Sequence, residues 1–431
     1  MKAIMIAGPK SHSGKTLLTA VFIRAIKKRK IDVSAFKTGS DFIDRGFLAK
    51  ASKKEAGNLD YYLMGQEGLV DSLSMNIGDL AIIEGVMGYF DGIHNTFEGS
   101  SFALSRKLKI ATILVYSPKG EMFSVIPKIK GMIDFPDSQI QAVILNKVTF
   151  EMYQLLKEQI EKYTSVKVLG YLPYIQAIDL ENSSNIEEAI EQIAYYVEEN
   201  IDIHAILKMA SHLEITPYIY PEKRKIKVAI AYDEAFNHYY NENLKLLEAI
   251  TDVHYFSPLK DQSLPENDFI YIGSGQLNQY LEELSNNKEM IDLIKKEAFH
   301  AKPILAENAG FTYLTSSINS FPMINLFNAK SQLTSRLQLN RFGYLKIQIR
   351  EDSIVGKKGR ILKGNESHRS TMEINENPIF DVKKVIGNKK WSAGYQYKNT
   401  LAYYQHIHFL GSKDAFNYLL DQIETLKGEK E

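Results

Sequence analysis

The chain has 431 residues, 52 Lys plus Arg balanced by 52 Asp plus Glu, 45% hydrophobic residues and no cysteine. Neutrality gives no chain-wide pull toward nucleic acid or an anionic membrane, and 24% charged with 11% aromatic residues is a globular composition, not a disordered one. Without cysteine there can be no disulfide, thiolate zinc site, iron–sulfur cluster or cysteine nucleophile, and at roughly 100 to 200 residues per domain two or three domains are expected.

The N-terminus reads MKAIMIAGPKSHSGKT; its apolar run is too short, and too soon followed by Gly-Pro-Lys, to be a signal sequence. No window approaches the roughly 20 apolar residues of a membrane span, so a soluble, cytoplasmic protein is expected. AIMIA (3–7), DVSAF (32–36), LAIIE (80–84), ATILVY (111–116), QAVILN (141–146) and VKVLGYLP (166–173) read as strands, with amphipathic stretches such as TLLTAVFIRAIKKRK between them. That alternation predicts βαβ units and a mainly parallel sheet. Residues 185–210 read as a helical pair, and 216–225, with Pro221 and a run of charges, as a linker. After it KIKVAIAY, DVHYFSPL, FIYIGSG and KPILAENAG restart the pattern, again strands with helices between. The chain therefore divides into α/β domains over 1–215 and 226–431.

Gly8 to Thr16, GPKSHSGKT, lies between the first strand and the first helix and reads as a P-loop with one residue more than the usual spacing. Gly8 and Gly14 let backbone N–H groups approach phosphate oxygens, with Lys10 and Ser13 in the same loop; Lys15 neutralises the β and γ phosphates, and Thr16 can ligate Mg²⁺ at the positive end of a helix. Hard-oxygen ligands should lie close by. KTGSDFIDRGF places Asp41 and Asp44 after the second strand, and IIEGVMGYFDG places Glu84 at the end of the third strand with Asp91 in the following loop. One such carboxylate alone reads as a cap or a solvated loop residue; four at carboxyl ends of parallel strands, beside a P-loop, read as a ligand site.

KTGSDFID, GNLDYYLM (57–64), EGVMGYFDG followed by GSSFALSR (99–106), and AFNHYYNENLKLLE (235–248) resemble cobyrinic acid a,c-diamide synthase and its relatives in the cobyrinate and Ni-sirohydrochlorin amidating group, nearly end to end. The resemblance implies an N-terminal ATP-dependent amidoligase domain like dethiobiotin synthetase, followed by a class I glutamine amidotransferase-like α/β domain. It implies that a substrate carboxylate is activated by ATP and Mg²⁺ as an acyl phosphate that ammonia displaces, chemistry in which placement and charge neutralisation carry most of the catalysis. By position, Lys15 and Thr16 serve phosphates and Mg²⁺, Asp41 and Glu84 organise metal or phosphate, Asp44 and Asp91 position substrate and intermediate, and Lys37 holds a phosphate or acyl phosphate oxygen. Asn146 and Lys147 match the adenine-contacting position. His12 stands where relatives commonly have Gly, which alters phosphate approach unless the residue points outward.

The family's second domain cuts glutamine with a cysteine at a sharp strand-to-helix turn in a sequence like AECGG; here AENAGFTYL places Asn308 at the nucleophile position. A carboxamide lacks the thiolate's nucleophilicity, although Asn tolerates the positive φ of such a turn. Ala309 replaces one of the paired glycines, Ser274 interrupts the GGG of the oxyanion hole, Gln276-Leu277-Asn278 replaces Tyr-Pro-Glu, and GNESHRS lacks the first His of GHEFHYS. AYYQHIHF retains the closing segment, with His406 at the base position. Glutaminase activity is expected to be lost, leaving the second domain as a scaffold completing the substrate cleft, a small-molecule binder, or a dock for a separate glutaminase subunit; the scaffold role is preferred.

The leading expectation is ATP- and Mg²⁺-dependent amidation of a tetrapyrrole or related polycarboxylate using free ammonia or another amine, without nucleic-acid or membrane partners, and with a homodimer suggested by the family. The alternatives are an internal condensation through the same acyl phosphate, giving a lactam or ring, and a non-catalytic nucleotide-binding homologue. His406 and His408 could share a strand face as metal ligands, but without a third ligand a core or cleft role is preferred. RAIKKRK (24–30) reads as a solvated helix C-terminus. Tyr61, Tyr62, Tyr89, Tyr239 and Tyr240 could stack on a macrocycle or simply fill cores.

Overall fold

The computed structural model describes residues 1–175 and 186–428, so residue 185 of the expected helical pair lies outside the described residues. The chain forms two compact units, residues 1–61 with 65–218, and 62–64 with 219–431.

The first unit begins with β1 (Lys2–Ala7), α1 (Lys15–Lys28), β2 (Val33–Thr38), α2 (Phe42–Ser52), β3 (Gly57–Leu59), α3 (Tyr61–Met75), β4 (Leu80–Glu84) and α4 (Ser101–Leu108). It continues with β5 (Thr112–Tyr116), α5 (Val125–Ile133), β6 (Ile140–Asn146), α6 (Phe150–Tyr163), β7 (Lys167–Leu172), α7 (Ile186–Asn200), α8 (Ile203–Met209) and the short β8 (Ser211–His212). The strands order as β3-β2-β4-β1-β5-β6-β7, all parallel, with β8 antiparallel to the start of β1. Helices cover both faces of a parallel sheet, which is why β4 and β5 are buried throughout and mostly apolar instead of alternating. The six strands expected from sequence are present; β3 and β8, three and two residues long, are too short to stand out as apolar runs.

Between α2 and α7, α1 is buried from Leu18 to Ile26. The expectation of a solvated basic C-terminus holds for Lys28, Arg29 and Lys30 but not for Arg24. Its guanidinium is buried, donating to the Ala51 carbonyl at 3.1 Å, the Lys50 carbonyl at 2.9 Å and Glu191 at 3.0 Å. Arg's forked donors suit it to bonding the closing carbonyls of α2, Lys50 also accepting the Lys53 N–H, while its stem packs in the helix layer.

Residues 213–226 carry no helix or strand. In the second unit come β9 (Lys227–Ala231), α9 (Asn241–Ile250), β10 (Asp252–Phe256), β11 (Phe269–Ile272), α10 (Leu281–Asn286), α11 (Lys288–Phe299), β12 (Ile304–Glu307) and α12 (Ala309–Tyr313). Up to this point it is the expected α/β alternation. From Thr315 the chain changes character: β13 (Thr315–Ile318), β14 (Phe321–Pro322), β15 (Phe327–Leu333), β16 (Gly343–Ile349), β17 (Ile361–Glu366), β18 (Ser370–Ile374), β19 (Phe380–Lys384), β20 (Lys390–Ala393), β21 (Tyr395–Tyr397), β22 (Thr400–Tyr403) and β23 (Gln405–His406) precede the closing α13 (Lys413–Gly428). The order β10-β9-β11-β12-β22-β21 forms the main sheet, parallel up to β22. Two smaller sheets, β14-β13-β15-β18 and β20-β19-β16-β17-β23, are mostly antiparallel. Their sequence signal is period-two alternation, as in FNAKSQL of β15 with buried and exposed residues in turn.

Tyr89, Tyr239 and Tyr240 are buried side chains of the cores, whereas Tyr61 is partly exposed and Tyr62 half-buried. Among the described residues no helix is long and apolar enough to cross a membrane.

Candidate active site

Four β-strands of the first unit deliver the expected residues to their carboxyl ends. After β1 the chain turns so tightly that a Cβ on Gly8 would lie 2.3 Å from Ser13 Oγ and 3.1 Å from the Lys15 side chain. Any larger residue there would push Ser13 and Lys15 out of place. Ser13 Oγ is itself buried without a hydrogen-bond partner, and Lys15 Nζ folds back to donate to the Lys10 carbonyl at 3.1 Å. Burial, then the charge of Lys37, pushes the Lys15 ammonium below the usual lysine range. Gly14 caps α1 in a left-handed conformation (φ 84°). His12 is also left-handed (φ 59°) with its side chain exposed, which accounts for a glycine being the easier residue there and leaves the loop interior clear of the imidazole.

Thr16, one residue into α1, donates to Glu84 Oε1 at 2.6 Å and lies 3.2 Å from Asp44 Oδ2. The ammonium of Lys37, near the end of β2, binds the same two oxygens, Asp44 Oδ2 at 2.6 Å and Glu84 Oε1 at 2.8 Å. Glu84 is fully buried and its Oε2 has no hydrogen-bond partner. Burial raises its pKa, opposed by Lys37. Burial works against the Lys37 charge as well, but Glu84, Asp44 and Asp41 outweigh it and hold the ammonium above its usual range. A buried carboxylate without such a counter-charge would cost several kcal/mol.

Asp41 is the N-cap of α2, its Oδ1 accepting the Asp44 N–H at 3.0 Å, and burial followed by the neighbouring Asp44 raises its pKa. The carboxylates brought to Thr16 are thus Asp44 and Glu84, with Asp41 one turn back holding Asp44 in place. Asp91 is exposed in the loop after β4, accepting the Gly88 N–H at 3.0 Å. That loop is tied to the P-loop by Tyr89 N–H to the Gly8 carbonyl at 2.8 Å. Asn146, at the end of β6, donates from Nδ2 to the Ser13 carbonyl at 3.0 Å and so clamps the P-loop from behind; Lys147 is exposed with φ 61°.

The second constellation is at the β12–α12 turn. Asn308 sits at φ 50°, ψ −102°. Its Nδ2 donates to the Ser367 carbonyl at 2.8 Å and lies 3.0 Å from His406 Nε2. With the amino end of Asn308 there, the hydrogen-bond network assigns Nε2 as acceptor and the ring proton to Nδ1, which faces Glu307 Oε2 at 3.8 Å. Glu307 is held by the hydroxyls of Tyr271 (2.9 Å) and Tyr403 (3.2 Å) and the Ile407 N–H (3.3 Å). Ala309 is buried, Ser274 pairs with His238 through the backbone, and Gln276 and Asn278 are exposed on either side of buried Leu277. His408 does not join His406: it lies 3.6 Å from Glu242, and among the described residues no group of three His, Cys, Asp or Glu side chains assembles as a metal site.

Residues 4–188 match the family described as the CobQ/CobB/MinD/ParA nucleotide binding domain, and 227–414 the CobB/CobQ-like glutamine amidotransferase domain. The chain is 35% identical to the cobyrinate a,c-diamide synthase of Clostridium tetani, across 98% of this chain and 100% of that protein. With the enzyme of the same name from Clostridium acetobutylicum it shares 36% identity across 97% and 100%, and with that from Fusobacterium nucleatum 37% across 96% and 98%. The chain belongs to the cobyrinate a,c-diamide synthase family.

Within the cobyrinate a,c-diamide synthase family motifs, several residues with positional roles carry no signal of their own. Thr38 Oγ1 accepts the Val86 N–H at 2.7 Å and contacts Ser101 Oγ at 3.3 Å, fixing the start of the loop that carries Asp91. Asn58 donates to the Gly39 carbonyl at 2.8 Å, shaping the turn before Asp41. Both lie inside the KTGSDFID and GNLDYYLM stretches, so the motif marks them while the residue type does not. Glu307 is the clearest omission: it directly precedes Asn308 and is the carboxylate facing His406.

Proposed function

We propose that the chain catalyses ATP- and Mg²⁺-dependent amidation of carboxylates on a cobyrinate-like tetrapyrrole or related polycarboxylate, drawing nitrogen from free ammonia or another amine and not from glutamine. When bound, ATP and Mg²⁺ supply the activation: the carboxylate becomes an acyl phosphate, and the amine nitrogen bonds to the acyl carbon as phosphate leaves and a proton passes to solvent. The fit of this chain to them is supported by the Gly8 cradle, the partnerless buried Ser13 Oγ, and the unsatisfied Glu84 Oε2 beside Thr16. Thr16, Glu84 and Asp44 would hold the cation, with Asp41 positioning Asp44. Lys15 and the N-terminal amides of α1 would hold phosphate oxygens, and Lys37 would offset charge on the transferred group. Asp91, on a loop tied to the P-loop, is suited to orienting substrate.

The observation that carries the nitrogen-source reading is Asn308 at the turn against His406. It keeps the geometry of a nucleophile position while offering a carboxamide, and the chain has no cysteine to stand in. The purified chain, given cobyrinate, ATP and Mg²⁺, should release ADP and form product in which amino groups replace hydroxyls when ammonium is supplied, and none when glutamine is. Glutamate release coupled to amidation would sink the ammonia reading. Absence of carboxylate-dependent ATP turnover with every polycarboxylate tried would sink the ligase reading itself.

A further inference from the structure

One pair of oxygens in the first unit serves both a lysine ammonium and a threonine hydroxyl. Glu84 Oε1 and Asp44 Oδ2 both receive Lys37 Nζ, at 2.8 and 2.6 Å, and the same two oxygens flank the Thr16 hydroxyl at 2.6 and 3.2 Å. A divalent cation held by Thr16 would need those oxygens, at metal–oxygen distances of about 2.0–2.1 Å for Mg²⁺, where an ammonium cannot also stay. Lys37 is 2% exposed and Glu84 fully buried, so neither charge can turn to water for compensation. Lys15, the other buried lysine of the site, is engaged elsewhere, on the Lys10 carbonyl.

We infer that the Lys37 ammonium is a resident counter-ion on the cation site, and that the site accepts a divalent cation only together with nucleotide. This deepens the proposed ATP-dependent reading and rests on it. Displacing Lys37 by the metal alone would strand a buried ammonium next to a second positive ion. When the cation arrives with a polyphosphate, the ammonium has a new anionic partner a short side-chain swing away. Charge at the site thus stays balanced before and after loading, and loading by metal without nucleotide is disfavoured.

The test reads metal binding, not turnover. Mn²⁺ is titrated into the full-length protein and the free ion followed by electron paramagnetic resonance, with and without a non-hydrolysable ATP analogue. Wild type should bind Mn²⁺ weakly alone and stoichiometrically with the analogue. Lys37→Met should bind Mn²⁺ without nucleotide at least about tenfold more tightly than wild type. Lys15→Met, which removes the same charge from a lysine not seated on the two carboxylates, should change it much less. Equal gains in the two variants would reduce the effect to net charge and overturn the inference. Tight Mn²⁺ binding by wild type without nucleotide would overturn it too, and needs no variant to fold. Failure of wild type to bind Mn²⁺ even with the analogue would instead refute the ATP-dependent function.

Discussion

Position 12 shows how a single backbone angle sets a local cost. A non-glycine residue in the left-handed region is disfavoured by roughly 1–2 kcal/mol, part of which is returned because glycine loses more entropy on folding. His12, at φ 59° with an exposed side chain, should therefore tolerate His12→Gly with a gain of about 0.5–1 kcal/mol, read as a higher denaturant midpoint. Asn146 is the opposite case, a buried amide whose donor is spent on the P-loop carbonyl of Ser13. Loss of that bond in Asn146→Ala, worth about 1 kcal/mol, should loosen the loop and raise KM for ATP several-fold while leaving nitrogen-donor preference unchanged. An effect on base selectivity, compared between ATP and GTP, would reveal a direct contact with the base in addition to the clamp. Residue types tied to phosphate and metal chemistry singled out the P-loop, Asp41, Asp44 and Glu84 in the sequence, and the family resemblance added Lys37 by position. Sequence could not reveal that Lys37 and Thr16 share two oxygens, since β2, β4 and α1 meet there only through the strand order. The resemblance gave the metal role to Asp41 and the substrate role to Asp44, whereas Asp44 is the carboxylate beside Thr16 and Asp41 caps the helix start three residues earlier.

Among elements, α1 is held by a buried polar contact in addition to its apolar faces. Arg24 reaches the closing carbonyls of α2 and Glu191 of α7 from a buried position. Arg24→Met keeps much of the stem but takes a donor from the Ala51 carbonyl and from Glu191, while the Lys50 carbonyl keeps the Lys53 N–H; a loss of about 1–3 kcal/mol is expected in urea unfolding, larger than for Lys28→Met at the exposed end of the same helix. The lysine-rich stretch conceals this because Arg24 differs from its neighbours only in which way the helix turns it. In the second unit, α12 ends in Tyr313, buried with no hydrogen-bond partner for its hydroxyl. Burial raises its pKa above the ordinary tyrosine value, as it does for Tyr239, Tyr271 and Tyr403, and Tyr404 is pushed up to about 12. The folded state therefore keeps protons that the unfolded chain releases above pH about 10, and stability falls as pH rises, by up to about 1.4 kcal/mol per pH unit for each such tyrosine. Tyr313→Phe should be near-neutral in stability at pH 8 and should flatten that decline between pH 10 and 11, as followed by chemical denaturation. The parallel sheets were legible as apolar runs. The antiparallel strands after Thr315 were not, because their apolar residues alternate with charged and polar ones and never accumulate in a window.

For the whole molecule, the absence of cysteine makes a prediction independent of any single contact. Iodoacetamide, and glutamine analogues that alkylate a catalytic thiol, should leave ammonium-supported amidation unchanged, measured as ADP release under saturating ATP. Loss of activity on such treatment would place a reactive nucleophile where this reading has none.

The turn at Asn308 has a consequence for how such a chain can change over time. A Cβ on Gly310 would lie 2.2 Å from the Ile272 carbonyl oxygen, so the chain after β12 must pass β11 at close range whatever stands at 308. The bend thus belongs to the packing of the main sheet, which asks of the residue at its apex only that it accept the positive φ. The residue at such an apex can change with one codon while the bend persists, because abandoning the bend would mean rebuilding the sheet.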